Sequence, residues 1–237
     1  KKMPSSIREH LRYPEVLLRT QSDVWGSYHI KKASDFYGKS DVWRRSQDPR
    51  GGNEETVAAN GQIVSSGQSR MNPHYVMMQI PGEKKQSFAL MQSFVPFSRD
   101  DSRRELVSFL VVSSDPDNFG KLISYRLPRK ALPPCPADIA NRIQSNAEAS
   151  RERTFIDQQG SEIVIGDLIV LPINNSLVYI EPWFLQAQQG SSTRLPQIKK
   201  VVAVYNNKIA IGDTYDEALK KVFSGQGAKL GSGGKSS

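Results

Sequence analysis

The residues with the most obvious potential for chemistry form a charged run at Arg99-Asp100-Asp101, followed by Arg103 and Arg104. Two neighbouring carboxylates among guanidinium groups are of the right type for acid–base work, because nearby charges shift carboxylate pKa values. The same run mixes both signs at the start of a predicted helix, and a network of ion pairs explains it better. A catalytic role would require the fold to gather Arg99, Asp100, Asp101 and a histidine in one pocket.

The histidines and the single cysteine give little sign of a metal site or a nucleophile. His10, His29 and His74 have no partner at metal-ligand spacing. His29 follows a predicted helix, a position typical of a capping or cationic role. Cys135 lies between prolines, where nothing in the sequence lowers its pKa, and one cysteine excludes an internal disulfide.

Known catalytic and ion-binding motifs are also absent. Asp115–Gly120 starts like a calcium loop, but the twelfth position, which needs a bidentate Glu, is Arg126. We interpret this segment as a turn that enters a strand. Phosphate loops and the G-x-S-x-G nucleophile motif do not occur. The sequence therefore assigns no catalytic, cofactor-binding or metal-ligating residue and predicts no cofactor.

Charge is distributed unevenly along the 237 residues, which carry a net charge of +8. The first fifty residues hold eleven Lys and Arg against six Asp and Glu, and so supply +5 of that charge. This asymmetry is consistent with phospholipid head groups, nucleic acid or an acidic partner, and equally with a solvated basic surface. Trp43-Arg44-Arg45 and Tyr125-Arg126 interleave aromatic and cationic residues, but no signature of a nucleic-acid-binding module accompanies them. We predict no nucleic-acid partner.

Hydrophobic periodicity predicts short helices in the first part of the chain. Pro14-Glu15 is suited to a helix start, and Leu17, Val24, Trp25 and Tyr28 recur at helical spacing, which predicts one buried face. Ser102 and Glu105 have capping-box spacing ahead of Leu106, Phe109 and Leu110 and predict a further helix. No apolar run approaches the ~20 residues of a membrane span, and no signal peptide is evident.

Strand-like runs separated by turn residues dominate the rest of the chain. They are 75–80 with 88–95, 119–127, 168–173 with 177–180 around Asn174-Asn175-Ser176, and 201–205 with 208–211 around Asn206-Asn207. Thr214 and Glu217 form a capping box before a last helix. This order predicts an α+β fold of mainly antiparallel hairpins with several interspersed helices.

The predicted organisation is a single α+β domain with polar ends. Residues 1–12 form an approach segment, 13–224 the domain, and 225–237 a Gly-, Ser- and Lys-rich linker tail. Within the domain, residues 48–71 are rich in Gly, Asn, Ser and Gln. This composition predicts a long flexible loop.

Several short segments, taken together, resemble an uncharacterised family of large multi-pass bacterial membrane proteins. The likeness covers about Met3 to Phe223, and its carriers are Met3-Pro4, Arg8, His10–Glu15, Ile80–Glu83, Phe94–Phe97, Arg99, Phe119–Leu122, Gln159–Ser161, Ile165–Leu168, Leu171–Ile173, Ser176–Pro182, Leu185–Ala187, Thr214 and Glu217–Leu219.

The resemblance implies the soluble C-terminal region of a membrane protein, which follows several transmembrane helices. An odd number of helices and a cytoplasmic N-terminus would place this region outside the membrane, in the periplasm or extracellular space. Its partners would be its own N-terminal transmembrane helices and the membrane surface, with an envelope protein as a possible further partner. The family offers no activity, cofactor or catalytic residue to transfer.

Three functions follow from the sequence. The first is a non-catalytic binding or assembly module at the cell envelope, which predicts an apolar or basic patch near the N-terminal helix. The second is an envelope enzyme whose site is completed by membrane-proximal parts. The third, which the lack of a binding-module signature disfavours, is nucleic-acid binding, and it predicts a continuous basic face and steep salt dependence.

Overall fold

The computed structural model describes residues 3–51, 53–57, 63–80, 85–130, 132–157, 161–173, 176–187 and 196–224. Backbone contacts divide the chain into two compact units. Unit 1 comprises Lys1–Arg142 and Ile169–Leu177, and unit 2 comprises Ile143–Leu168 and Val178–Ser237. The boundaries predicted for one domain over 13–224 stay a prediction, and the predicted tail 225–237 lies outside the described residues.

The secondary structure confirms the α+β class with antiparallel sheets. The described helices are α1 (Ser5–Arg8), α2 (Glu15–Tyr28), α3 (Ala33–Gly38), α4 (Pro136–Ser145), α5 (Ala147–Asp157) and α6 (Tyr215–Phe223). The described strands are β1 (Trp43–Arg45), β2 (Asn53–Val57), β3 (Ile63–Gln68), β4 (His74–Gln79), β5 (Gln86–Pro96), β6 (Ser108–Ser113), β7 (Leu122–Arg126), β8 (Ser161–Ile165), β9 (Ile169–Ile173), β10 (Ser176–Ala187), β11 (Gln197–Tyr205) and β12 (Lys208–Gly212). No helix in these ranges is both long enough and apolar enough to cross a bilayer.

Strand β5 organises the sheet of unit 1. Its first half pairs with β4 and its last three residues pair with β1, while β6 runs along its other edge and pairs in turn with β7. All of these pairings are antiparallel. Every residue from Ala89 to Pro96 is buried, as expected for a central strand covered on both faces. The core beside it comprises Tyr13, Leu18, Trp43, Leu90, Phe94, Leu110 and Val112.

The helix predicted after Ser102 is wrong, because the chain forms strand β6 there. All six residues of β6 are buried, and the strand pairs on both sides. Ser102 hydrogen-bonds to Asp100, and Glu105 forms an isolated bridge with Pro134, so neither residue caps a helix. An apolar run of this length is compatible with either a buried helix or a buried strand, and tertiary pairing decided the outcome.

The segment 48–71 also differs from the loop that its composition predicts. Within it, β2 and β3 pair antiparallel, with Thr56 opposite Val64 and Val57 opposite Ile63. These β-branched residues favour extended backbone despite the polar sequence around them.

Unit 2 contains an antiparallel sheet with the order β12-β11-β10-β8. Its β11–β12 hairpin confirms the prediction from Asn206-Asn207: Tyr205 pairs with Lys208, and Asn206 has a φ of 52°. Helix α6 packs on β11 and β12. Strands β9 and β10 match the two apolar runs around 174–175, and those two turn residues lie outside the described residues.

Candidate functional site

Helix α2 approaches the sheet of unit 1 through small residues. Its buried positions Leu18, Ser22 and Gly26 are spaced four residues apart and so share one face. A Cβ atom on Gly26 would lie 2.4 Å from the carbonyl oxygen of Trp43, so the helix backbone sits almost directly on β1. This close packing selects the face that the helix buries.

The opposite face of α2 presents an apolar stripe to solvent. Leu17, Val24 and Tyr28 are 45%, 53% and 69% exposed. At about 100° per residue these three side chains fall within a sector of roughly 40°. The sequence interpretation of Leu17, Val24, Trp25 and Tyr28 as a buried face is therefore wrong. The periodicity of the sequence correctly locates an apolar stripe on α2. The packing shows, however, that the sheet covers the other face of the helix, which carries Leu18, Ser22 and Gly26.

Phe36 and Tyr37 on α3 continue this stripe beyond Tyr28. Tyr28 and Phe36 have ring centroids 5.6 Å apart, and Phe36 and Tyr37 have centroids 5.7 Å apart. Tyr37 is 83% exposed. Helix α3 ends at Gly38, and Lys39 reverses the chain with a φ of 53°. We call Tyr28, Phe36 and Tyr37 the aromatic rim.

The aromatic rim borders a cavity of about 790 Å³ in unit 1. Its wall combines aromatic rings with cationic side chains, and includes one carboxylate. The lining residues beyond the rim are Asp23, Ser27, Lys39, Val42, Trp43, Arg44, Arg45, Arg70 and Phe97. A cavity of this size falls in the range of small-molecule sites, about 300–1,000 Å³.

Two of the arginines in the cavity wall are held by carboxylates. Arg45 Nε lies 2.8 Å from Asp23 Oδ1, and its Nη1 donates to the carbonyl oxygen of Met71 at 2.9 Å. Arg70 Nη2 lies 2.5 and 2.6 Å from the two carboxylate oxygens of Asp101. These pairs offset the two positive charges and fix the side chains.

Arg44 differs because, within the described part of the chain, it has no carboxylate partner. Its guanidinium carbon lies 4.2 Å from the centroid of the Phe97 ring, a cation–π arrangement. Partial burial, followed by the neighbouring charge of Arg70, lowers the pKa of Arg44, while Asp101 partly offsets this. The group is therefore a cation held in place by a ring, with its N–H donors available to an anion.

A second cavity, of about 350 Å³, shares Lys39, Val42, Trp43 and Phe97 with the first and is also lined by Asp41. Asp41 is 3.7 Å from Arg129 and 4.0 Å from Arg126, and it accepts a hydrogen bond from Trp43 Nε1 at 3.3 Å. Two cations and an indole N–H already surround this carboxylate. We therefore interpret Asp41 as a residue that stabilises the fold by linking these side chains.

His29 caps the C-terminal end of α2, which is the first of the two roles, capping or cationic, that the sequence predicts. Its backbone N–H and its ring Nδ1 both lie within hydrogen-bonding distance of the Trp25 carbonyl oxygen. Burial, the largest effect, lowers the pKa of His29, which disfavours the cationic alternative.

An envelope enzyme would gather Arg99, Asp100, Asp101 and a histidine in one pocket, and neither cavity described above does so. Asp100 is exposed and accepts hydrogen bonds from Ser102, chiefly through the hydroxyl group, which lowers the pKa of Asp100. Asp101 pairs with Arg70. Neither cavity described above is lined by Arg99, Asp100, Asp101 or a histidine. Within the described ranges, no three His, Cys, Asp or Glu side chains converge in a way that could hold a metal ion.

Sequence reasoning missed the cavity, although part of its signal was present. In the sequence, Trp43-Arg44-Arg45 shows only an aromatic–basic pattern. Phe97 and Arg70 come from distant positions, and only the pairing of β1 with β5 brings Phe97 close to Arg44.

Fold and site together define an α+β protein with antiparallel sheets and a cation-lined cavity under an exposed aromatic rim. The chain belongs to the uncharacterised protein family UPF0182, whose model matches residues 1–156. A UPF0182 protein of Bradyrhizobium diazoefficiens is 35% identical over 95% of this chain, and one of Pelotomaculum thermopropionicum is 33% identical over 96%. One of Methanospirillum hungatei is 32% identical over 96% of the chain.

The chain spans only 22–23% of the length of these relatives, so it corresponds to one part of much longer proteins. No solved structure matches it.

Proposed function

We propose that this chain is an extracytoplasmic binding module of a multi-pass membrane protein, and that it rests its α2–α3 face on the membrane surface. The observation that carries the proposal is the exposed stripe of Leu17, Val24 and Tyr28, which continues into the aromatic rim. Contiguous exposed apolar surface is typical of a protein or membrane contact.

The chemistry of this face favours lipid as the occupant. Tyr and Trp rings are enriched at the level of lipid head groups, because they have an apolar body and a polar tip. The adjoining cavity adds Lys39 and Arg44, and the first fifty residues carry an excess of five positive charges. Basic side chains near a membrane are attracted to anionic lipids by about 1 kcal/mol each. The protein's own transmembrane helices would lie beside this face, and an envelope protein is the other candidate partner.

Vesicle co-sedimentation tests the membrane contact. We expect the purified chain to bind vesicles of phosphatidylcholine and phosphatidylglycerol. Val24→Glu places a charge in the stripe and should weaken binding roughly tenfold, because burial of a valine side chain contributes about 1.5 kcal/mol or more. Phe155→Glu is the matched control, since Phe155 is a similarly exposed apolar residue on α5 of the other unit. Equal binding by the two variants would contradict the use of this face.

The extracytoplasmic location requires a separate test in the full-length membrane protein. Ser236→Cys places a thiol in the predicted linker tail, and a membrane-impermeant maleimide is applied to intact cells. Cys135 is buried and should contribute little background. Labelling of intact cells would support the proposal, whereas labelling only after lysis would contradict it.

A further inference from the structure

We infer that the 790 Å³ cavity binds the phosphate group of a phosphate ester, with Arg44 as the principal ligand. The inference rests on the proposed function for the source of that phosphate, an anionic lipid headgroup. A soluble phosphate ester shares the same chemistry, and the experiment below separates the two sources.

The balance of charges in the wall is the first support. Lys39, Arg44, Arg45 and Arg70 line the cavity, against the single carboxylate of Asp23. Asp23 pairs with Arg45, and Arg70 pairs with Asp101. Arg44 and Lys39 have no such partner among the described residues, so the cavity presents two cations without an ion-pair partner to any ligand that enters.

The placement of Arg44 is the second support. Stacking on Phe97 covers one face of the guanidinium group and restricts its motion, while its planar N–H edge stays available. A guanidinium fork matches two oxygens of one phosphate, and such charge-assisted pairs are the strongest class of hydrogen bond in proteins. An anion would also relieve the repulsion between Arg44 and Arg70, which is one cause of the lowered pKa of Arg44.

The walls of the cavity favour an ester over a free ion. Tyr28, Phe36 and Tyr37 border the cations and offer apolar contact to whatever carries the phosphate. A tetrahedral phosphate presents oxygens in several directions, so it can accept hydrogen bonds from Arg44 and Lys39 together. The geometry therefore fits a phosphate attached to a glycerol or a similar small group.

The test compares two arms with the same set of variants. In the first arm, the chain is co-sedimented with phosphatidylcholine vesicles, with and without phosphatidylglycerol. In the second arm, glycerol phosphate is titrated calorimetrically. Arg44→Gln should weaken both the phosphatidylglycerol-dependent binding and the glycerol phosphate binding by about tenfold. Arg44→Lys should be intermediate, because it keeps the charge and loses the fork.

Arg151→Gln is the control, since it removes the same charge from an exposed position on α5 of the other unit. Arg44 makes no ion pair with any described residue, so Arg44→Gln should lower the melting temperature only by the loss of its contact with Phe97, and a cooperative melt would show that the variant is folded. A selective loss in Arg44→Gln supports the inference.

The remaining outcomes separate the two proposals. If Arg44→Gln and Arg151→Gln bind both ligands equally, the cavity assignment is overturned while the membrane contact can stand. If the wild-type chain does not bind vesicles but binds glycerol phosphate through Arg44, the inference stands with a soluble phosphate ester as the ligand. The proposed function then fails. If neither ligand binds, the inference is overturned.

Discussion

The imidazole ring of His29 stacks on the indole ring of Trp43, with centroids 3.5 Å apart and planes 23° from parallel. Nδ1 of His29 bonds to the carbonyl oxygen of Trp25, while Nε2 is buried 3.8 Å from Asp41 Oδ2. Burial lowers the pKa of His29, Arg126 adds to this effect, and Asp41 opposes it. The stack therefore joins the end of α2 to β1 through a neutral histidine.

This stack predicts that stability decreases in mild acid. In the unfolded chain, His29 is protonated at the ordinary histidine pKa of about 6.5. In the folded chain its pKa is lower, so protonation of His29 favours the unfolded state. The free energy of unfolding should thus fall as the pH decreases below about 6.5. His29→Asn keeps a donor for Trp25 and cannot titrate, so its urea unfolding should depend less on pH between about 7.5 and about 5.5. Equal slopes for the two proteins would refute the role of His29.

The contact between Gly26 and Trp43 predicts a large effect of a small substitution. Gly26→Ala would place a methyl group 2.4 Å from a backbone oxygen that cannot move aside. Overpacking of this kind costs about 1–3 kcal/mol, which outweighs the 0.5–1 kcal/mol that alanine usually contributes to a helix. Chemical unfolding should show a net loss of stability.

Gly38→Ala is the control for that prediction. Apart from its chain neighbours and its own helix backbone, no described residue has a heavy atom within 4 Å of a Cβ at this position in α3, so the variant should be neutral or slightly stabilised. If both alanine variants were stabilised, the close approach of α2 to β1 would be incorrect.

The start of α6 predicts a measurable capping energy. Thr214 Oγ1 accepts a hydrogen bond from the Glu217 backbone N–H at 3.2 Å, and Glu217 Oε2 accepts one from the Asp213 backbone N–H at 2.9 Å. Thr214→Ala should reduce the free energy of unfolding by about 1 kcal/mol. Thr154→Ala should change it little, because the Thr154 hydroxyl only bonds back to the Ser150 carbonyl within α5. A loss of the same size in both variants would argue against the cap.

Cys135 should be inert in the folded protein. The residue is fully buried, and burial raises the pKa of its thiol to about 11. Because the thiolate is the reactive form, an aromatic disulfide reagent should modify Cys135 only in step with unfolding by urea. Rapid modification without denaturant would show that α4 opens locally around this residue.

The sequence alone was sufficient where local chemistry and burial agree. Pro14 and Glu15 marked the start of α2, Asn206 marked a hairpin, and Thr214 with Glu217 marked the start of α6. Each signal depends on backbone geometry or on hydrogen bonds between residues a few positions apart. The antiparallel α+β class followed because strand pairs separated by short turns leave little other choice.

Sequence signals were insufficient where partners distant in the chain decide the structure. The run around Phe109 and Leu110 became strand β6, because pairing on both edges satisfies its backbone groups inside the core. The stripe of Leu17, Val24 and Tyr28 remained exposed, because Gly26 permits a closer contact on the other side of the helix.

The candidate site is likewise a tertiary product. The residue types alone show that Arg44 carries a positive charge beside aromatic residues in the sequence. They do not show which groups surround that charge in the folded protein. Asp23 and Asp101 neutralise the neighbouring arginines, and Phe97 occupies the face of Arg44 without neutralising it. Composition determines how many charges a chain holds, whereas the fold decides which of them remain unpaired, since ion pairs form only between side chains that the packing brings within a few ångströms.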